Sequence, residues 1–438
     1  MKQTALFALF VALAMTATTS AQVTYTCTAG TDFNEYEGIA KLFDGDTDTK
    51  FCGNAGDNVY ALVTASEPVF VWGYEMTTAN DNEDYGRLLT QWVLYGTNDP
   101  DVATDPDASG WVTLSDPGEN GIVQMRNFYT QRFFCEKEVN KPFKYFKLVL
   151  KKGGFVQLSE FKILGETHRV IAYKWKESSD NNSQKATDLL VTQKWEGCNL
   201  AGNWVTLEAD DNQPHAVKGY SFTTSDDGSW NDRAPKSWKI EGSNDYTTWT
   251  LIDEVTDDGV IQNMNFKTFD FTPVNTSGEY RYIRLTLTAM RGTGWTQVGE
   301  FHVLSTSGVS DAVYYTNLVN KAKAAKTDYE ALLGADDAWC QEYAVFFAGL
   351  DLDAALATAK STGDYAALED KLTAAENHAI AQALKPLLSG GSYIPINGSA
   401  CWGDGHYSQL LDGKESTKWG GNFPGEGDHV QYVIFRAK

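Results

Sequence analysis

Most of this chain reads as short runs in which Val, Ile, Tyr, Trp and Thr alternate with polar residues, as in Gln91-Trp92-Val93-Leu94-Tyr95 and Ser237-Trp238-Lys239-Ile240-Glu241. Alternation with a period of two places every second side chain on one face of a strand. Turn formers such as Asn98-Asp99-Pro100 and Asp257-Asp258-Gly259 separate the runs. The pattern predicts an all-β sandwich or barrel. An immunoglobulin sandwich is less well supported, because no Cys…Trp…Cys spacing recurs. Trp92, Trp238 and Trp249 lie within these runs and are expected in the core.

The runs repeat in order. Gly73-Tyr74-Glu75-Met76-Thr77-Thr78 matches Gly219-Tyr220-Ser221-Phe222-Thr223-Thr224, and Gln91-Trp92-Val93-Leu94-Tyr95-Gly96-Thr97-Asn98-Asp99 matches Ser237 to Asp245. Lys144-Tyr145-Phe146-Lys147-Leu148 matches Arg281 to Leu285, and Ser159-Glu160-Phe161 matches Gly299-Glu300-Phe301. A turn, Leu42-Phe43-Asp44-Gly45-Asp46-Thr47-Asp48-Thr49-Lys50-Phe51, returns near the end as Leu410-Leu411-Asp412-Gly413-Lys414-Glu415-Ser416-Thr417-Lys418-Trp419. A degraded copy, Asp188-Leu189-Leu190-Val191-Thr192-Gln193-Lys194-Trp195, lies between them. Strand-like runs follow the three turns at Val59–Val63, Trp204–Leu207 and Val430–Phe435. Matches at this many points in one order mark a repeat architecture.

Between 310 and 388 the period changes. No Pro occurs from Pro273 to Pro386, and Ala, Leu, Lys and Glu dominate. Tyr314, Leu318, Ala322, Ala325, Tyr329 and Leu332 recur at helical spacing, as do Tyr365, Leu368, Leu372, Ala375, Ala379 and Ala383. Ser310 and Asp311 can cap the first helix, and Gly334, Gly349 and Gly363 divide the region into three or four. A small helical spacer bundle is expected, with a partner-binding helix face as the less common use of such a stripe.

The N-terminus has Lys2, an apolar run from Ala5 to Ala14 and small residues at Thr19-Ser20-Ala21. This is the layout of a secretory signal, too short to span a bilayer. No Cys follows the expected cleavage point, so a lipoprotein anchor is not indicated, and no later stretch is apolar enough to cross a membrane. A secreted protein, periplasmic or extracellular, is expected. The organisation read from the pattern is a signal peptide at 1–21, β-sandwiches at 22–166 and 170–306, a helical spacer at 310–388, and a third sandwich begun at 392 and cut short at 438. The fold class is mainly β.

Composition narrows the partners. Asp and Glu number 58 against 36 Lys and Arg, which argues against nucleic acid and anionic lipid, since both need clustered cations. Neutral glycans and Ca²⁺ remain compatible. The six cysteines, Cys27, Cys52, Cys135, Cys198, Cys340 and Cys401, contain no CxxC, so zinc and thioredoxin-type sites are unsupported. A Cys27–Cys52 disulfide is open, and the sequence does not fix it. No HExxH, GxSxG or P-loop is present. Carboxylate pairs for glycoside hydrolysis depend on separation in space, but repeat and spacer account for every region. A non-catalytic protein is expected.

The turns "LFDGDTDTKF" and "LLDGKESTKW", the segment "RAPKSWKIEGSND" at Arg233 to Asp245 and the "EF" step before the last strand resemble the coagulation factor 5/8 type C, or discoidin, domain. Within that superfamily they are most similar to bacterial family 32 carbohydrate-binding modules. The resemblance covers 26–165 and 172–305 fully and 392–438 in part. It implies eight-stranded jelly rolls that bind ligands through loops at one end. It also implies a structural Ca²⁺, held in the first module by Asp44, Thr49 and Glu160 and in the third by Asp412 and Thr417. Asp46 joins this set because Asp44, Asp46 and Asp48 alternate within one turn, where hard oxygen ligands suit Ca²⁺ and where a solvated acidic turn is the alternative. The second module has lost the Gly and the second oxygen ligand beside Asp188 and Glu300, and is not expected to bind metal.

Sugar binding wants an exposed ring over the C–H face and planar polar groups for the hydroxyls. The loop candidates are Tyr36, Asn80, Tyr85, Arg87 and Phe155 in the first module, Trp230, Asn231, Arg233 and Trp295 in the second, and Trp402 and His406 in the third. Arg87 and Arg233 could equally pair with a nearby Asp. The functional expectation is a glycan-binding protein or the accessory part of a larger glycoside hydrolase. The alternative is an adhesin or scaffold that binds protein.

Overall fold

The computed structural model describes residues 23–375, apart from positions 35, 57, 119–120, 122–123, 136–140, 153, 181, 227–232, 258–260, 262–263, 293 and 334–337, together with the strands 393–398 and 433–437. The architecture is mainly β. The chain divides into two compact units, Met1–Ser310 and Asp311–Lys438.

The first repeat runs β1 (Tyr25–Gly30), β2 (Phe51–Asn54), β3 (Tyr60–Thr77), a one-turn helix α1 (Asn82–Tyr85), β4 (Gln91–Thr97), β5 (Val112–Ser115), β6 (Thr130–Phe134), β7 (Phe143–Lys152), β8 (Phe155–Leu158) and β9 (Glu160–Glu166). A five-stranded antiparallel sheet, ordered β1-β3-β7-β4-β5, faces a smaller sheet in which β6 and β9 flank the far half of β3. The long strand β3 serves both sheets. Its pairing to β7 breaks between Thr64 and Val69, where Ser66-Glu67-Pro68 is exposed. Pro68 has no N–H to donate, so it is tolerated at that break and not in the ladder beside it.

The second repeat copies this plan with β10 (Tyr173–Ser178), β11 (Trp195–Cys198), β12 (Trp204–Ala209), β13 (His215–Thr223), β14 (Pro235–Ser243), β15 (Thr250–Val255), β16 (Thr268–Phe271), β17 (Glu279–Tyr280), β18 (Tyr282–Met290), β19 (Trp295–Val298) and β20 (Glu300–Ser305). The order β10-β12-β18-β14-β15 reproduces the large sheet, and β13 carries β16 and β20. The path of β3 is here split into β12 and β13 by a turn with Asn212 at φ +58°.

Both cores centre on a Tyr–Trp pair. Trp92 Nε1 donates to Tyr74 Oη at 2.7 Å, and Trp238 Nε1 donates to Tyr220 Oη at 3.0 Å. Trp92 and Trp238 are fully buried, as the alternation predicts. Trp249 is not. It precedes β15, is partly exposed, and lies under the Arg284 guanidinium at 3.8 Å. The strand begins at Thr250, one residue later than the pattern suggests, and this leaves the indole on the outer face.

The second unit contains α2 (Asp311–Leu333), α3 (Ala338–Leu350), α4 (Leu352–Thr362) and a helical stretch at 366–375. Asp351 caps α4 by accepting the Ala354 N–H, and Gly363 closes it at φ +72°. Tyr315 and Tyr365 stack at 4.2 Å and hold α2 against the last stretch. The strands β21 (Tyr393–Gly398) and β22 (Val433–Ala437) pair antiparallel. Among the described residues no helix is long and apolar enough to cross a membrane. Cys27 and Cys52 are free thiols, so the Cys27–Cys52 disulfide that the sequence leaves open is not formed.

Candidate functional site

The loop after β3 builds one end of the first repeat. Buried Asn82 fixes it: its Oδ1 accepts the Ala79 N–H at 2.7 Å, and its Nδ2 donates to the Arg87 carbonyl at 2.9 Å and the Gln157 carbonyl at 3.2 Å. Gly86, at φ +62°, then turns the chain so that Arg87 emerges beside α1. The Arg87 guanidinium lies 4.5 Å from the Tyr85 ring and 5.0 Å from the Phe155 ring, with Asp81 at 3.6 Å. Arg87 therefore pairs with an Asp, as one of its two sequence readings expects, and at the same time contacts two rings. Lys50 adds bonds to Asn80 Oδ1 at 2.9 Å and Asp81 Oδ1 at 3.1 Å. Phe33 meets Phe155 edge-on at 5.4 Å. Tyr85 is 65% exposed and Phe33 54%. The result is a solvent-facing aromatic rim around a fixed set of charged and amide groups.

Phe33, Lys50, Asp81 and Asn82 are not among the residues that the sequence singles out. In sequence Lys50 is only part of its turn, and Phe33 lies far from the rest. No periodic signal marks either one. Tyr36 is 76% exposed, and among the described contacts only its backbone N–H is bonded, to Asn34 Oδ1.

The acidic turn lies at the start of β9. Asp44 Oδ1 accepts the Asp46 N–H at 3.0 Å, and Oδ2 accepts the Thr49 hydroxyl at 2.8 Å. Burial alone would raise the Asp44 carboxyl, but bonds from Thr49, the Asp46 N–H and Lys41 outweigh it and hold the group below the usual range. Glu160 faces Asp44. Burial, reinforced by the Asp44 charge, pushes Glu160 up to about 7. Its Oε1 is buried with no hydrogen-bond partner. Asp46 Oδ1 is engaged by the Asp48 N–H at 3.0 Å. Among the described residues no three Asp, Glu, His or Cys side chains converge as metal ligands. The turn instead brings together two carboxyl groups, the Thr49 hydroxyl and the Asp46 carbonyl that this hydroxyl also meets at 3.1 Å, and mixed oxygen sets of that kind suit Ca²⁺.

The degraded turn keeps the backbone and loses the polar groups. Leu189 occupies the place of Gly45, at φ +66° against φ +75°. The Leu190 N–H bonds Asp188 Oδ1 at 2.9 Å, as the Asp46 N–H bonds Asp44. Positive φ is unfavourable for a leucine, and packing supports it: Leu189 and Val191 join the hydrophobic core of the first repeat. Glu300 is fully buried, and burial next to Asp188 raises its carboxyl far above the ordinary value. This carboxyl pair is arranged to hold a proton.

At the second repeat's loop end, Trp295 occupies the position of Phe155 and is 52% exposed. The Gln297 N–H bonds the Arg233 carbonyl at 2.8 Å, as the Gln157 N–H bonds the Arg87 carbonyl at 3.1 Å. Trp230, Asn231, Trp402, His406, Asp412 and Thr417 lie outside the described residues, as does the expected signal segment 1–21.

A relative from Arabidopsis thaliana, peptide-N(4)-(N-acetyl-beta-glucosaminyl)asparagine amidase, is 30% identical over 117 residues, covering 26% of this chain and 16% of that protein. The chain thus spans about a sixth of the curated relative it matches. A fucolectin from striped bass (Morone saxatilis) serum aligns over 66% of this chain and 97% of its own, at 12% identity and a TM-score of 0.25. The CBM32-1 and CBM32-2 domains of Clostridium perfringens ZmpB align over 64% of this chain and 91% of theirs, at 12% identity and a TM-score of 0.24. The family model of the F5/8 type C domain matches residues 171–301. The second repeat therefore belongs to the F5/8 type C, or discoidin, domain family, and the first carries the same strand plan and the same Tyr–Trp core.

Proposed function

We propose that this chain is a secreted glycan-binding protein that takes a neutral sugar at the loop end of its first repeat. The observation that carries the reading is Arg87, set between the Tyr85 and Phe155 rings and paired with Asp81. The exposed ring of Tyr85 offers a face for sugar C–H groups, and the guanidinium and carboxylate offer planar partners for hydroxyls. Hydrogen bonds from Asn82 hold the loop before any ligand arrives, which reduces the ordering cost of binding. We assign the stretch shared with the Arabidopsis amidase to binding and not to hydrolysis, since it is 16% of that protein.

A Ca²⁺ ion would be held by Asp44, Glu160 and Thr49 with carbonyls of the turn, and would neutralise two facing carboxylates. Its role is structural: it would fix the turn next to Lys50, which reaches the loop through Asn80 and Asp81.

A glycan array probed with the full chain tests the reading. Arg87→Ala and Tyr85→Ala are each expected to weaken the strongest sugar signal by about tenfold or more, in line with about 1.4 kcal/mol for each side chain removed. Absence of any sugar signal, or signals indifferent to both substitutions, would refute it.

A further inference from the structure

The two repeats meet through equivalent elements. Thr77 and Thr130 share a hydroxyl contact at 2.8 Å, and Thr223 and Thr268 do the same at 2.8 Å, so Arg132 on β6 and Asp270 on β16 hold the same place in their repeats. These two residues bond each other: Arg132 Nη2 donates to Asp270 Oδ2 at 2.8 Å, while Glu75 takes the other side of the fork. Tyr129 and Lys267 are likewise equivalent and lie in contact, the ammonium 5.4 Å from the ring centre, and Tyr129 Oη donates to the Asn265 carbonyl at 2.7 Å. A residue touching its own counterpart is the mark of an axis of two-fold symmetry. Here that axis is approximate and runs within one chain.

The direction of the strands about this axis follows from the levels of contact. The start of β6 meets the start of β16 through Tyr129 and Lys267, and the middles meet through Arg132 and Asp270. Contact continues beyond the middles as well: Lys218, in the far half of β13, reaches Glu166 at the end of β9 at 3.1 Å. Near end lies with near end and far with far, so β6 and β16 run side by side in the same direction. Thr77 at the near end leads into the loop of Tyr85 and Arg87, and Thr223 leads toward Arg233. The two loop ends therefore face the same side.

The pairing is also stiff. His302 stacks on Trp72 at 5.3 Å and contacts Phe134 at 4.7 Å. Leu189 and Val191 fill the edge of the first repeat's core. This accounts for the lost polar residues of the second turn, which has become a plug.

We propose that residues 23–306 form a rigid bivalent binder, in which the Arg87–Phe155 end and the Arg233–Trp295 end engage one multiply glycosylated polymer or surface together. The inference rests on the glycan reading above and adds the class of ligand, a dense array in place of a single chain. A fixed pair of sites converts the second contact into an intramolecular one, and gains of roughly 10²–10⁴-fold are the usual range.

The test compares the full chain on immobilised mucin with the free oligosaccharides released from that mucin. Binding to the surface is expected to exceed binding to the oligosaccharides by roughly 10²-fold or more. The variant Trp72→Ala/Asp270→Lys opens the interface and should lose most of that gain with its oligosaccharide affinity unchanged. Should that variant fail to fold, Asp270→Asn/Lys218→Glu gives a milder opening at two exposed side chains, judged in the same way. Oligosaccharide binding with no surface gain, or a gain that survives opening of the interface, overturns bivalency alone. No binding to either probe overturns the glycan reading and bivalency with it.

Discussion

Glu160→Gln probes the acidic turn most directly. The substitution keeps the shape of the side chain and removes the charge that Asp44 opposes. An ordinary glutamate at 4.5 and Glu160 at about 7 differ by about 3.4 kcal/mol in their preference for the proton, at about 1.4 kcal/mol per pH unit. The carboxyl is only partly buried, so screening by solvent reduces this to about 1–2 kcal/mol. Because the folded chain binds this proton more tightly than the unfolded one, stability is fully present below about 4.5 and is lost as pH rises through about 7. In chelator, the parent should therefore be less stable than Glu160→Gln by about 1–2 kcal/mol at alkaline pH. The two should converge near pH 5, where the parent is protonated. Added Ca²⁺ should reverse the order: a site of ~10 µM affinity gains about 2.7 kcal/mol in about 1 mM Ca²⁺, and the variant gains little. Denaturant unfolding followed by Trp fluorescence, at both pH values and with and without Ca²⁺, reads all four states. Parallel pH curves for parent and variant would refute the facing-carboxylate argument, and equal Ca²⁺ gains would refute the ion.

Two further substitution pairs test the cores. Tyr220→Phe should cost about 2–4 kcal/mol, because Tyr220 Oη donates to buried Asp253 at 2.6 Å and accepts from Trp238, and a charged partner makes its bond the stronger kind. Tyr74→Phe should cost less, about 1–2 kcal/mol, since Ser115 stands where Asp253 does; urea midpoints in which Tyr74 is the more costly would contradict this. Trp238→Ala should cost about 3–5 kcal/mol through the cavity it leaves, while Trp249→Ala, which removes an indole from the outer face, should cost no more than about 1 kcal/mol. Similar melting shifts for the two would mean that Trp249 belongs to the core after all.

The sequence by itself determined the local and repeated features. Alternation with period two located the strands, and matched segments such as those around Tyr74 and Tyr220 showed that one plan is used twice, since each strand needs the same inward face wherever the plan recurs. Trp92 and Trp238 were legible as core for that reason. Trp249 was not, because its exposure depends on where β15 begins. The sequence singled out Tyr85, Arg87 and Phe155 as loop candidates; the structure puts Tyr85 at the end of α1 and Phe155 at the start of β8, and it brought the three together with Phe33, Lys50 and Asp81, which lie far apart along the chain. The facing of Glu160 and Asp44 came from resemblance, since no pattern in the sequence links a turn to a strand start so far downstream. Only the tertiary structure decided why Leu189-Leu190-Val191 stands where the first turn has Gly45-Asp46-Thr47. A turn that reads as a damaged metal site in one dimension is, in three, apolar surface removed from water against a neighbouring repeat. Burial of that kind depends on which surfaces meet, and a chain's own periodicity specifies faces without specifying what they face.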